Sequence, residues 1–134
     1  VHSVDSLKLA QALDKRSRAI GKIQKILVQV NISGEETKSG IGFNQALELV
    51  QSMVSLKNIA IRGLMTMPPF FDAPDRARPF FRRLARLRDQ IADRKIPGVS
   101  MDDLSMGMTG DFEVAIQEGA TLVRIGTAIF GARQ

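Results

Sequence analysis

The chain has 134 residues, 44% hydrophobic and 25% charged, which suits one globular domain with a core of its own. It has no cysteine and one histidine, so a disulfide framework, a thiolate nucleophile and a histidine cluster are excluded. The formal net charge of +5 would suit a polyanion, but the excess is gathered in Arg76 to Lys95.

In chain order, Val1 to Val4 reads as a short strand. Asp5 or Ser6 can cap a helix running to about Ile20, with Leu7, Leu9, Ala10 and Leu13 as its buried stripe. Lys25 to Ile32, KILVQVNI, is β-branched and apolar and predicts a strand. Ser33 to Gly42 reads as a loop, and Asn44 to about Leu56 has the apolar spacing of a helix. Ile59 to Thr66 is the next strand, ended by Met67-Pro68-Pro69.

The basic segment follows as a helix to about Arg94. Phe80, Leu84, Leu87 and Ile91 form its expected apolar stripe, and its arginines a solvated face. Asp103 to Ser105 predicts a short strand turned by Met106-Gly107-Met108. Thr109 or Asp111 starts a helix through Glu118, with Gly119 placed to end it. Leu122 to Ile125 is the last predicted strand. Strands alternating with helices predict an α/β fold with parallel strands, one domain over residues 1–134.

In such folds sites lie at the carboxyl ends of strands. Ser105, Gly107, Gly126 and Thr127 gather there in small, hydroxylated, glycine-rich turns. They read as a phosphate cradle built from backbone N–H groups, or as ordinary turn chemistry. Neither a G-x-G-x-x-G after a strand nor a P-loop is present. Arg124 alternates with Val123 and Ile125, so on a sheet covered on both faces it needs an anion, a carbonyl, a ring nitrogen or an internal carboxylate. Met65, Met67, Met106 and Met108 lie near strand ends, where thioethers pack against flat rings or simply fill the core. Asn31 is a ligand or turn candidate and Lys38 a partner for a loop carboxylate. Asp111 and Glu113 read as capping residues and His2 as structural. No nucleophile–base pair, carboxylate dyad or metal site stands out.

The stretches VQVNISGEETKSG (Val28 to Gly40), IRGLMTMPP (Ile61 to Pro69) and LSMGMTGDFEVAIQEGATLVRIGTAIFGAR (Leu104 to Arg133), with the opening VHSVDS, closely resemble the pyridoxal phosphate homeostasis protein family (YggS/PROSC-type). The resemblance covers almost the whole chain. It implies a TIM-type (β/α) barrel of the alanine racemase N-terminal-domain kind, binding pyridoxal 5′-phosphate (PLP). It places Ser105, Gly126 and Thr127 on the cofactor phosphate, Arg124 at the pyridine nitrogen and Met65 beside the ring. An arginine donor at that nitrogen keeps it unprotonated, which weakens the ring as an electron sink.

The family's Schiff-base lysine lies on an early strand, and no lysine here stands at the matching place. The chain, which begins with Val1, therefore resembles the C-terminal portion of the family, an incomplete barrel lacking its first strands. No catalytic residue is assigned, and PLP would bind noncovalently. Open sheet edges lead to the expectation of a homodimer or an exchange of elements between copies. The resemblance implies a PLP-binding protein of vitamin B6 homeostasis, without evident catalysis. The alternatives are a racemase-like PLP enzyme whose lysine lies outside this chain, and a basic module around Arg76 to Lys95 that binds a polyanion or a partner protein. No apolar run approaches the roughly 18 residues of a membrane span. No membrane partner is expected, a cytoplasmic location is, and the lack of aromatic–basic interleaving argues against nucleic acid.

Overall fold

A computed structural model describes residues 2–32, 40–67, 73–108 and 110–124. Its elements in order are β1 (His2–Val4), α1 (Leu7–Ala19), β2 (Gln24–Asn31), β3 (Ile41–Gly42), α2 (Ala46–Ser52), β4 (Ile59–Met65), α3 (Arg78–Asp93), β5 (Val99–Met108), α4 (Phe112–Gln117) and β6 (Leu122–Arg124). Short 3₁₀ turns at Phe43–Gln45 and Pro74–Ala77 lead into α2 and α3. The strands run parallel in the order β1-β2-β4-β5-β6, with β3 beside the end of β2. Helices connect successive neighbours, as parallel pairing requires. These are consecutive β/α units of the barrel-type fold expected from the sequence.

Local chemistry sets the boundaries. Ser6, extended at φ −151°, accepts the Leu9 N–H at 3.2 Å and starts α1. Asp14 on α1 accepts the Asn58 N–H at 2.7 Å, which ties the helix to the approach to β4. Thr121 brackets Leu104: its hydroxyl accepts the Leu104 N–H at 2.8 Å, and its own N–H donates to the Leu104 carbonyl at 2.9 Å. This sets β6 against β5.

Side chains of paired residues share a face, so register sorts the sheet into rows. Val4, Val28, Leu64 and Leu104 form one row across four strands, each fully buried. This row faces the helices and meets Ala10 and Leu13 of α1, Val50 of α2, Phe81, Leu84 and Ile91 of α3 and Ala115 of α4. The adjacent row, Gln29, Met65, Ser105 and Leu122, faces the other way. Leu27 and Met65 are buried there, outside the helix-side core.

The register slips at β4, where Ile61 and Gly63 pair with successive residues Ile26 and Leu27 and Arg62 is the extra residue. Gly63 has no alternative there. A Cβ on it would stand 1.8 Å from the Asp103 carbonyl oxygen, so the close approach of β4 to β5 demands glycine.

Several expected details change. Leu9, placed in the α1 stripe, is exposed, and Ser17 is buried on that face instead. Helix α2 stops at Ser52 rather than near Leu56, and Val54 is exposed. On α3 the fully buried aromatic is Phe81, with Phe80 only half-buried. Leu84, Leu87 and Ile91 are buried as expected, so the stripe begins three residues before Leu84 rather than four. Strand β5 spans ten residues, not three, and Met106-Gly107-Met108 is its end rather than a turn.

The arginines of α3 are largely engaged within the chain. Arg78 donates to Glu118 at 2.7 Å and to Asp75 at 2.9 Å, and Arg82 donates to Glu118 at 3.1 Å. Arg83 lies 4.5 Å from the Phe43 ring centroid and reaches the Ile32 carbonyl at 3.4 Å. Arg88 pairs with Asp89. A free cationic face along this helix is therefore much reduced.

Two outcomes test this packing. Phe81→Ala should cost about 3–5 kcal/mol in urea unfolding, and Phe80→Ala clearly less. Glu118 is held below the usual glutamate range by hydrogen bonds from Arg82 and then Arg78. A depressed carboxyl stabilises the fold above its unfolded value, near 4.3, and that contribution fades as pH falls through the lower folded value. Glu118→Gln should therefore melt below the wild type at pH 7, and the two melting temperatures should converge toward pH 3.

Candidate functional site

The carboxyl ends of β2, β4 and β5 form a rim on the face opposite the helices. Three of the sequence-predicted residues lie at this rim. Met65 closes β4 and is 2% exposed. Ser105 is its register partner on β5 and is 6% exposed, so hydroxyl and thioether stand side by side on one face. Gln29 flanks Met65 on β2.

Gly107 lies two residues beyond Ser105, where the β5–β6 register shifts between Ser105 and Met108. Its φ of +101° is left-handed territory that a side chain would strain. A Cβ there would come within 2.6 Å of the Ala115 Cβ and 3.3 Å of Val123 Cγ1. The position thus presents bare backbone against α4. Beyond it, Asp111 accepts the Met108 N–H at 2.7 Å, drawing the strand end and the start of α4 together. Asp111 occupies the N-cap position of α4, but its side chain makes no hydrogen bond into the helix, so the capping role expected of it is not what it performs; the carboxylate turns to the strand end instead.

Buried polar groups are few, and two of those among the described residues meet here. Thr66 and Ser105 are both buried, and the Thr66 N–H donates to the Ser105 carbonyl at 3.1 Å. The Thr66 hydroxyl donates to the Val30 carbonyl at 2.8 Å. The partners of Thr66 lie on two other strands, so no local motif marks it.

Arg124 ends β6 in register with Met108. Gly126 and Thr127 lie outside the described residues, as do Lys38 and Thr109. The other methionines separate by environment: Met106 is buried in the helix-side core, whereas Met67 and Met108 are exposed. Among the described residues no group of histidine, cysteine or carboxylate side chains could hold a metal ion, and no helix is long and apolar enough to cross a membrane.

A cavity of about 430 Å³ lies elsewhere, between the segment entering α3 and the start of α4. Arg78 lines it, but that guanidinium is already committed to Glu118, Asp75 and Gln117. It offers no unspent cation for an anionic ligand.

The rim brings together a buried hydroxyl at Ser105 and a buried thioether at Met65, groups whose chemistry suits a hydrogen-bond acceptor and a flat ring. Comparison with known proteins identifies the family. The family model for the alanine racemase N-terminal domain matches residues 1–134. The pyridoxal phosphate homeostasis protein of Aquifex aeolicus is 45% identical over 134 residues, all of this chain and 58% of that protein. The chain thus spans little more than half the length of this relative. PipY of Synechococcus elongatus, solved without PLP, superposes with a TM-score of 0.87 at 31% identity, over 97% of this chain and 60% of that one. PipY with PLP bound superposes at 0.83 and 29% identity, over 97% and 59%.

Proposed function

Because this chain belongs to the alanine racemase N-terminal domain family, we propose that it contributes the carboxyl-end rim of a pyridoxal phosphate site, in a protein that holds and supplies the cofactor rather than transforming an amino acid. The observation that carries the reading is the side-by-side placement of Ser105 and Met65, next to the glycine-only backbone at Gly107. Similarity to PipY, whose solved forms include one with PLP, supports the same ligand.

The division of labour follows from residue chemistry. Ser105 offers a hydroxyl to the phosphate, and glycine at 107 lets the end of β5 pack closely on α4 and so fixes the strand end next to Ser105. Gly126 and Thr127 extend the cradle through their N–H groups, as their place after Arg124 in the motif implies. The Met65 thioether packs at the ring's side. Arg124 donates to the pyridine nitrogen and keeps it without a proton. The bound cofactor supplies an electron sink for amino-acid chemistry, and an arginine at the ring nitrogen blunts it. This supports a non-catalytic role over the racemase-like alternative. The resemblance assigns the covalent anchor to a lysine on an early strand that no lysine of this chain matches, so this chain's own contacts are noncovalent. A homodimer or an exchange of elements across open sheet edges, and a cytoplasmic location, belong to the same reading.

A PLP titration followed by absorbance, with borohydride treatment and intact mass, tests it. Saturable binding with no added mass after borohydride is expected, weakened about tenfold or more by Arg124→Ala or Ser105→Ala, the loss of one side-chain hydrogen bond to the ligand. Stable mass addition at one lysine would restore the enzyme reading. An absence of saturable binding would contradict the proposal for this chain.

A further inference from the structure

One residue ties three strands together at the rim. Parallel ladders pair β2 with β4 as far as Gln29 and Met65, and β4 with β5 as far as Met65 and Ser105. The next residue, Thr66, lies one position beyond the end of β4. Its N–H continues toward β5, donating to the Ser105 carbonyl at 3.1 Å. Its hydroxyl turns the other way and donates to the Val30 carbonyl of β2 at 2.8 Å. One residue therefore fastens three neighbouring strands where the candidate site begins.

Thr66 is 3% exposed, so water does not compete for this hydroxyl. A valine would fill the same volume and leave the Val30 carbonyl without this donor. A serine would keep the donor and lose only a methyl.

We propose that Thr66 is a positioning residue for the cofactor site: by pinning the ends of β2 and β5 to β4, it sets the spacing of the Ser105 hydroxyl and the Met65 thioether that the ligand meets. The inference rests on the PLP-binding reading above and adds a residue that touches no ligand. It acts through Ser105 and Met65. Its removal changes ligand affinity, whereas an equally destabilising change elsewhere in the core does not.

The test uses pyridoxine 5′-phosphate, which lacks the aldehyde, so binding reports noncovalent contacts alone. Thr66→Val, Thr66→Ser and Leu87→Ala are compared with wild type by calorimetric titration and thermal melting. Leu87 is buried on α3 in the helix-side core. The expected result is about a tenfold rise in Kd for Thr66→Val, or 1.4 kcal/mol, with Thr66→Ser and Leu87→Ala within about threefold of wild type. Unchanged affinity in a folded Thr66→Val protein would overturn the proposal, as would an equal loss in Leu87→Ala.

A ligand-free arm separates this inference from the reading it rests on. Should wild type fail to bind the probe, the PLP reading falls for this chain. The positioning claim is then decided by the Met65 methyl and Ser105 amide resonances. Displacement of both in Thr66→Val but not in Thr66→Ser upholds the pin, and unmoved resonances overturn it.

Discussion

The constraint on which this structure depends is the two-sidedness of a parallel sheet with helices on one face. Val4, Val28, Leu64 and Leu104 stand in register and must all be apolar, because each meets the helix layer with no exposed surface. Once that row is committed, the alternate row has no choice of direction. Gln29, Met65 and Ser105 are turned away from the helices by the same pleat that buries their neighbours. A one-residue slip would bury Ser105 among leucines and turn Leu104 outward. The site's polarity and the core's hydrophobicity are thus two consequences of one register.

Glycines mark where that regularity is interrupted. At Gly63 the β4 and β5 backbones approach so closely that no side chain fits, and beside it Arg62 is the residue β4 carries in excess. The Arg62 Nε is buried without a hydrogen-bond partner among the described residues, and Nη2 reaches only to 3.9 Å from Asp102. The second interruption, at Gly107, lies at the functional end. There a left-handed, buried backbone brings β5 close against α4, beside Ser105. The first interruption shapes the sheet and the second fits the end of β5 to α4.

Much of this was readable from residues alone. Lys25 to Ile32 announced a strand because β-branched residues dominate it, and the order of strands and helices announced parallel pairing. The α3 stripe was misplaced by one residue at its start because two phenylalanines are adjacent, and only the tertiary contact chooses Phe81. Strand β5 was read too short because Asp102, Asp103, Ser105 and Gly107 lack strand character. Their conformation comes from pairing with Gly63, Leu64 and Met65 rather than from their own propensities. Ser105 and Met65 could be found as residues at strand ends. Thr66 could not, since the acceptor of its hydroxyl lies 36 residues earlier and nothing local signals it. The pairing of Arg78 and Arg82 with Glu118 was hidden for the same reason, and with it the partial neutralisation of the basic helix.

The central claim is that pyridoxal phosphate is held at the carboxyl ends of the strands on the face away from the helices. The most direct measurement is an amide chemical-shift map of the isotopically labelled chain during titration with pyridoxal phosphate. The account predicts that shifts concentrate at Thr66, Ser105 and Gly107 and leave Gln24 and Asn58, at the opposite end of the strands, unmoved. Shifts centred on Gln24 and Asn58, on the exposed arginines of α3, or on the cavity beside Arg78 would contradict it.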